Sequence, residues 1–493
     1  MTQGLPSRRF ILLGAAAPLA AAAWPMCAFS QDAAVCADGI SAAEIEADEL
    51  FARMATPCFD DLDGMIRRGF IRVGVAYGPL FFTADGPETS GLTVEAMREF
   101  EIDLRKRLGK GARHLTLVLA PLPRDRMFPL LLEGKVDLLA ANLTVTQERS
   151  AIADFSDPFI ENVREVVVAG PATPAVASLD ELHLTELHVR ASSSYHEHLT
   201  ALSAARQAAG APALKIVEAD PNLEDEDIIE LVSLGVIPAT VVDDHKARLF
   251  VRIFDAAVLR DDLAINEGGA IAWAMRKDSP KLKEAANAFV KIAHRGTLLG
   301  NTILNRYFKD TDRVRNAMGD EDRDAFAEVI GTIREKAARY DFDALMIAAQ
   351  AYQESRLRQS ARSNAGAVGV MQVLPSTARD PAIGIPSIET VERNVEAGVK
   401  YLRLLRETYV NDPAVSVYDQ TLMAFAAYNA GPGNLRKARR RAEKLGLDPN
   451  VWFGNVELAM AQAVSREPVV YVRNILKYYT TYRLAEQAAA RGG

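Results

Sequence analysis

The spacing of apolar positions changes character twice along the chain. Residues 11–29, "ILLGAAAPLAAAAWPMCAF", are apolar almost without interruption. From about residue 66, short β-rich runs alternate with helically spaced ones. "FIRVGVAY" (70–77), "LTLVLAPL" (115–122) and "VDLLAANLTV" (136–145) predict strands, and Val94, Met97, Phe100, Leu104 and Leu108 share one face of a helix between the first two. "RDRMFPLLLEG" (124–134) predicts the next helix, and "EVVVAG", "LHVRASS", "IPATVVDD" and "GGAIAWAMRKDSP" repeat the strand theme before a helix over "KLKEAANAFVKIAH". Strands alternating with helices predict βαβ units. After Phe308 the strand pattern stops: "KDTDRVRNAMGDEDRD" has the polarity of a linker, and everything beyond about residue 322 has helical period. The expected organisation is an export signal (1–30), an N-terminal extension (31–65), an α/β domain (66–310), a linker (311–321) and an all-helical domain (322–493). A chain of 493 residues exceeds what one hydrophobic core usually organises, which agrees with two globular domains.

Charge and cysteine content add the compartment. "SRRF" ahead of the first apolar run, and small residues before Gln31, give the pattern of an export signal cleaved near Ser30. Ser7, Arg8 and Arg9 loosely match a twin-arginine signal, from which Ile11 and Leu13 depart. The same run is long enough to cross a bilayer if it stays uncleaved. Export places the mature chain in the periplasm, with outer-membrane association or an uncleaved signal as its possible attachments. Cys27 would leave with the signal. Cys36 and Cys58 then face an oxidising compartment, where a disulfide between them is expected and two buried thiols are the alternative. A net charge of −8 leaves no basic excess to neutralise a nucleic-acid backbone. The one basic run, "RKARRR" (436–441), reads as a solvated helix face. No His/Cys cluster or phosphate loop is present, so neither a metal nor a nucleotide cofactor is expected.

One carboxylate stands apart. Glu354 is followed by 25 residues with no other Asp or Glu until Asp380. In "DFDALMIAAQAYQESRL" Asp343 is a candidate N-cap, and Ile347, Ala351 and Glu354 fall on one face of the helix it starts. An acid on an apolar face, in the last turn where the helix dipole disfavours negative charge, has its pKa pushed up, desolvation contributing more than the dipole. A carboxyl still protonated near neutrality can act as a general acid. Taken alone, a solvated acid at a helix end fits the same residues.

Two resemblances sharpen these patterns. "LLLEGKVDLLAANLTVTQERSAIADFSDPF" resembles the signature of type 3 periplasmic solute-binding proteins, over residues 66–310. That resemblance implies a two-lobed α/β fold closing over a small ligand, commonly an amino acid. It implies Arg149 for the ligand's carboxylate with Thr144 beside it, and Asp243 for the amine, Asp244 being the rival. A guanidinium fork suits a carboxylate in a closed, dry cleft; an ion pair to Glu148 or Asp154 would account for Arg149 as well. "SSSY" (192–195) before a helical run could present N–H groups to an anion or be a plain N-cap. Tyr77 could wall the cleft or belong to the core.

"ESRLRQSARSNAGAVGVMQVLPSTA", "NVEAGVKYL", "AFAAYNAGPGN" and "EPVVYVRNILKYY" resemble, in order and spacing, the soluble-lytic-transglycosylase domain, an all-α, lysozyme-like (goose-type) fold. Together the two halves resemble the membrane-bound lytic murein transglycosylase F family. The resemblance implies Glu354 as catalytic acid, and Ser363, Met371, Gln372, Tyr428 and Asn429 around the glycan, with Gly366 and Gly369 allowing close backbone approach. Val370 stands where the family has Leu, and Pro468 where its closing motif through Tyr471 has Thr. Glycosidases usually deploy two acids; the family implied here needs one. Its acid protonates the bond between N-acetylmuramic acid and N-acetylglucosamine, then accepts the proton of the muramic C6 hydroxyl, whose intramolecular attack gives a 1,6-anhydro end. The expected partners are murein strands and a small ligand, an amino acid or stem peptide, that modulates cleavage. A hydrolytic muramidase of the same fold and a non-catalytic murein sensor are the alternatives.

Overall fold

The computed structural model describes residues 56–308 and 320–492, apart from residues 77, 79, 86, 87, 222, 445 and 446. The expected signal, Cys36 and Tyr77 lie outside the described residues. Cys58 is half-buried, and its thiol donates to Asp60 Oδ2 at 3.1 Å.

The α/β half begins with β1 (Phe70–Ala76), α1 (Leu92–Leu108), β2 (Thr116–Leu122) and β3 (Leu138–Thr144). β1 lies between β2 and β3, parallel to both, as the βαβ pattern predicts. α1 buries Val94, Met97, Phe100 and Leu104 against this sheet, whereas Leu108, the fifth position of the predicted stripe, is exposed. α2 (Gln147–Ile152) follows, then β4 (Ile160–Ala169) enters the second lobe. That lobe holds β5 (Glu186–Arg190), α3 (Ser194–Ala208), β6 (Lys215–Ala219), α4 (Asp225–Ser233) and β7 (Ala239–Asp243), with β7 parallel to β5 and β5 to β6. β8 (Val258–Met275) returns to the first lobe, and α5 (Pro280–Ala293) packs there. The strand order is β2-β1-β3-β8-β4-β7-β5-β6.

β4 and β8 are the departures from a parallel reading. β8 runs antiparallel to β4 with repeated register shifts, then antiparallel to β3 through Ile271–Met275. The sequence predicts this strand only from Gly268, because "DDLAINEG" (261–268) mixes charge into a stretch that is largely half-exposed. These two strands join the lobes, and each lobe keeps its own apolar cluster.

The helical half comprises α6 (Asp320–Arg339), α7 (Ala344–Ser355), α8 (Val391–Tyr409), α9 (Val417–Ala430), α10 (Pro432–Lys444) and α11 (Glu467–Gly492), with shorter helices between. α9 is buried over seven consecutive positions, Thr421–Ala427, as befits a helix apolar on every side at the centre of a bundle. α11 packs on α7 and α9, and one cluster including Ile347, Met371, Phe425 and Val472 forms the core. The basic run on α10 is only partly a solvated face: Arg441 is buried on Gln462 Oε1, and Arg439 bonds Pro449 O and Asn450 Oδ1. Among the described residues no helix is long and apolar enough to cross a membrane.

The halves meet along α11. Lys477 pairs with Asp227 of α4 at 2.9 Å, Thr480 and Arg483 approach Asp220, and Arg466 donates to Leu119 O with its guanidinium 5.0 Å from the Phe82 ring centre. Burial alone pulls Arg466 down to about 9.

Candidate active site and ligand cleft

α7 starts as its sequence dictates: the Asp343 carboxylate accepts from Leu345 N and Met346 N. It stops because Arg356 and Leu357 both adopt positive φ, 52° and 62°, turning the chain away one residue past the Glu354–Ser355 pair. Ser355 Oγ donates to Val370 O at 2.8 Å, tying the helix end to the glycine loop. Burial pushes the Glu354 carboxyl up to about 7, opposed by a hydrogen bond from Tyr471 Oη to Oε1 at 2.5 Å. Gln350, one turn before Glu354 and fully buried, donates from Nε2 to Tyr471 Oη at 3.0 Å.

The loop beyond is held by backbone and amide contacts. Gly366 and Gly369 have φ of 87° and 78°; a Cβ at Gly369 would lie 2.6 Å from Asn394 Nδ2 and Gln359 Oε1. Asn394, buried on α8, accepts from Met371 N and donates to Val368 O. Met371 packs against Gly398, where a Cβ would meet Met371 Cβ at 2.6 Å. Tyr428 Oη donates to Met371 O at 2.7 Å; its hydroxyl is raised well above 10, by burial first and then by the Glu354 charge.

The expected glycan contacts divide into several kinds. Asn429 is exposed at the end of α9 and Tyr428 half-buried. Ser363 is exposed, but its hydroxyl accepts from Ala367 N and so shapes the turn. Gln372 has φ of 46° and bonds Gly369 O and Ala361 O. For Met371 the expectation needs correction: its side chain is wholly buried, so the residue contributes a carbonyl to the Tyr428 bond and its thioether to the core. Tyr471, Gln350, Asn394 and Ser355 were absent from the expected set. All sit inside the quoted motifs or one turn from the acid, and for Gln350 and Asn394 a polar type within a largely apolar helical stretch is the available signal.

In the α/β domain a cavity between the lobes is lined by Thr144 and Arg149 together with Arg124, Arg190, Ser194 and Lys246. Arg149 does not offer a free fork. It bonds Glu197 Oε1, Thr144 O and Ser192 O, so it pairs with the second lobe rather than with Glu148 or Asp154. Asp243 is fully buried, 3.0 Å from Lys246 Nζ, and accepts from Asn142 Nδ2, while its Oδ1 has no hydrogen-bond partner among the described residues. An ammonium ligand would therefore have to compete with Lys246. The rival Asp244 is partly exposed and takes a long bond from Arg164 N. Arg190 and Lys246 both hold Asp225; burial alone would raise that carboxyl, but these cations and Arg124 keep it below its usual range. Ser193, not an anion, caps α3 by accepting from His196 N, while Ser192 Oγ and Arg190 Nε are left without partners among the described residues. Arg124 follows the end of β2, Arg190 ends β5 and Lys246 lies three residues past the end of β7, at the carboxyl ends of strands where open α/β folds gather ligand groups.

The two halves match separate families: residues 71–310 the bacterial extracellular solute-binding proteins, family 3, and residues 331–450 the transglycosylase SLT domain. The class is thus a solute-binding domain fused to a murein-transglycosylase-type domain. Over 404 residues the chain is 32% identical to a membrane-bound lytic murein transglycosylase F of Desulfosudis oleivorans, covering 77% of this chain and 84% of that one. A protein of the same name from Methylobacillus flagellatus is 26% identical over 431 residues, 80% and 86% of the two chains. The chain belongs to the membrane-bound lytic murein transglycosylase F family. Among solved structures, an ancestral arginine-binding protein bound to arginine matches with a TM-score of 0.39 and 22% identity, over 49% of this chain and 99% of that one. An amino acid ABC transporter substrate-binding protein from Streptococcus pneumoniae gives 0.43 and 18%, over 52% and 100%.

Proposed function

We propose that this protein is a periplasmic lytic transglycosylase that cleaves the β-1,4 bond from N-acetylmuramic acid to N-acetylglucosamine in murein and leaves a 1,6-anhydromuramic end. The observation that carries this reading is the half-buried Glu354, whose carboxyl desolvation holds near pKa 7, with Tyr471 its hydrogen-bond donor and no charged neighbour among the described residues contributing to its shift. A carboxyl half-protonated at neutrality serves both halves of the reaction. As an acid it gives its proton to the glycosidic oxygen while the C1–O bond breaks. As a carboxylate it takes the proton of the muramic C6 hydroxyl while the new C1–O6 bond forms, so the carboxyl is restored and no water is consumed. The intramolecular attack needs no second acid to activate a nucleophile. Mass spectrometry of products from purified murein tests this: the anhydro product is one water lighter than the reducing end a hydrolytic muramidase would leave, and reducing ends throughout would refute the transglycosylase reading.

We further propose that a carboxylate-bearing small ligand, an amino acid or stem peptide, bound in the solute-binding cleft modulates cleavage. Support comes from α4, whose first turn presents Asp225 to Arg190 and Lys246 of the cleft and Asp227 to Lys477 of α11. α11 also carries Tyr471 to the catalytic acid. A ligand shifts the activity only by its differential affinity for the two states, typically about 5- to 150-fold. Removing one partner of a buried ion pair strands the other, so the fitting test replaces both. Asp227→Asn combined with Lys477→Met is expected to keep basal turnover and abolish the response of cleavage rate to added soluble muropeptides. An undiminished response in that double variant would exclude this route.

A further inference from the structure

Gln350 is buried with no exposed surface, one helical turn before Glu354, and its amide bonds Tyr471 rather than the carboxyl. Its amide donates to Tyr471 Oη, while its Oε1 has no hydrogen-bond partner among the described residues. A buried, unsatisfied carbonyl costs stability, and an apolar residue of the same size would avoid that cost. A local rule broken in the core beside a reacting group marks a residue kept for function.

We infer that Gln350 is a positioning residue that fixes the direction of the Tyr471 hydroxyl and thereby sets which oxygen of Glu354 carries the acidic proton. This rests on Glu354 being the proton donor, as argued above. A phenol has one hydrogen and an oxygen that can also accept. With the Gln350 amide donating into that oxygen, the Tyr471 hydrogen is committed to Glu354 Oε1. A carboxyl accepts better at its carbonyl oxygen than at its hydroxyl, so this bond favours Oε1 as the carbonyl and puts the acid proton on Oε2, the oxygen left for the substrate. The same bond stabilises the carboxylate once the proton has been given up, because hydrogen bonding to the charged form favours it. Without Gln350 the phenol can rotate and accept instead. Glu354 would then place its proton on Oε1, facing the tyrosine, in a fraction of molecules that cannot react.

Gln350→Met and Gln350→Leu remove the amide with similar volume. Each is expected to lower kcat for glycosidic cleavage by up to about tenfold, the upper end of the worth of one neutral hydrogen bond. Each is also expected to shift the alkaline limb of the pH–rate profile upward and to leave the thermal midpoint of the full chain unchanged or higher. In the Tyr471→Phe background the same replacements should have no further kinetic effect, since the residue acts through that hydroxyl. A structural role would show the opposite signature: a lowered midpoint, an unmoved pH profile, and losses that add to those of Tyr471→Phe. Wild-type kcat in both variants, or full additivity with Tyr471→Phe, would overturn the assignment. These outcomes are read from bond cleavage whether the product is anhydro or reducing, so they are separable from failure of the transglycosylase reading.

Discussion

Glu354→Gln is expected to keep the fold and lower glycan cleavage by at least about 10²- to 10⁴-fold, the span general acid–base help supplies, because one residue provides both proton transfers. The amide can still accept the Tyr471 hydrogen bond at its carbonyl oxygen, so the geometry around α7 and α11 should persist. It can neither give a proton to the leaving oxygen nor take one from the C6 hydroxyl. The wild-type rate should fall on the alkaline side with a midpoint near 7, where the acid form is lost. Stability has a matching sign. A carboxyl at about 7 in the folded protein against an ordinary 4.5 holds its proton more tightly folded than unfolded. Its contribution is therefore fully present below about pH 4.5 and is lost as pH rises through 7. Above that pH the variant, free of a buried charge, should be more stable than the wild type by up to about 3 kcal/mol, from roughly 2.5 pK units. Chemical denaturation at pH 5 and pH 8 with parallel assays checks both; wild-type turnover in the variant would remove Glu354 from the chemistry.

Much of the site could be read in the chain itself. Local patterns carried the Asp343 cap, the burial of Glu354 and the glycine turn, since each depends on neighbours within a few residues. Motif order carried Tyr428 and the approach of four distant segments. Polar pairing across long separations was not readable in this way. Tyr471 lies 117 positions from Glu354, and nothing in either segment's periodicity says that their hydroxyl and carboxyl meet. Arg149 shows the same gap in the α/β half. Its type fits a carboxylate, but its partner Glu197 is 48 residues on, in the other lobe, and only the folded cleft reveals that the fork is already engaged. Asp243 is the amine acceptor that the solute-binding resemblance implies; Lys246, three residues later, neutralises it. β8 was shortened for another reason: a strand spanning both lobes is partly exposed, so its charged stretch mimicked a loop.

Asn394→Ala is expected to have the second largest effect, on the loop facing the acid. The Asn394 side chain is fully buried and closes three bonds at once: it accepts from Met371 N at 2.8 Å and donates to Val368 O at 2.7 Å and Ile388 O at 3.4 Å. Truncation strands the buried Met371 N–H, while Val368 O keeps Val373 N and Ile388 O keeps Gln359 Nε2, so roughly 1 to 3 kcal/mol of the helical half's stability should go. The loop that loses this anchor is bound to α7, the helix of Glu354, through Val370 O and Ser355, and it supplies Met371 O to Tyr428. A displacement of about 1 Å there is enough to cost about 10²-fold in turnover. Gly369→Ala attacks the same contact from the other side: its Cβ would press on Asn394 Nδ2, and its φ of 78° disfavours any side chain. Both variants should lower turnover and the thermal midpoint together, and the double variant should lose less than the sum because the two share one contact. Strict additivity, or normal turnover in Asn394→Ala, would show that the loop is not held through this amide.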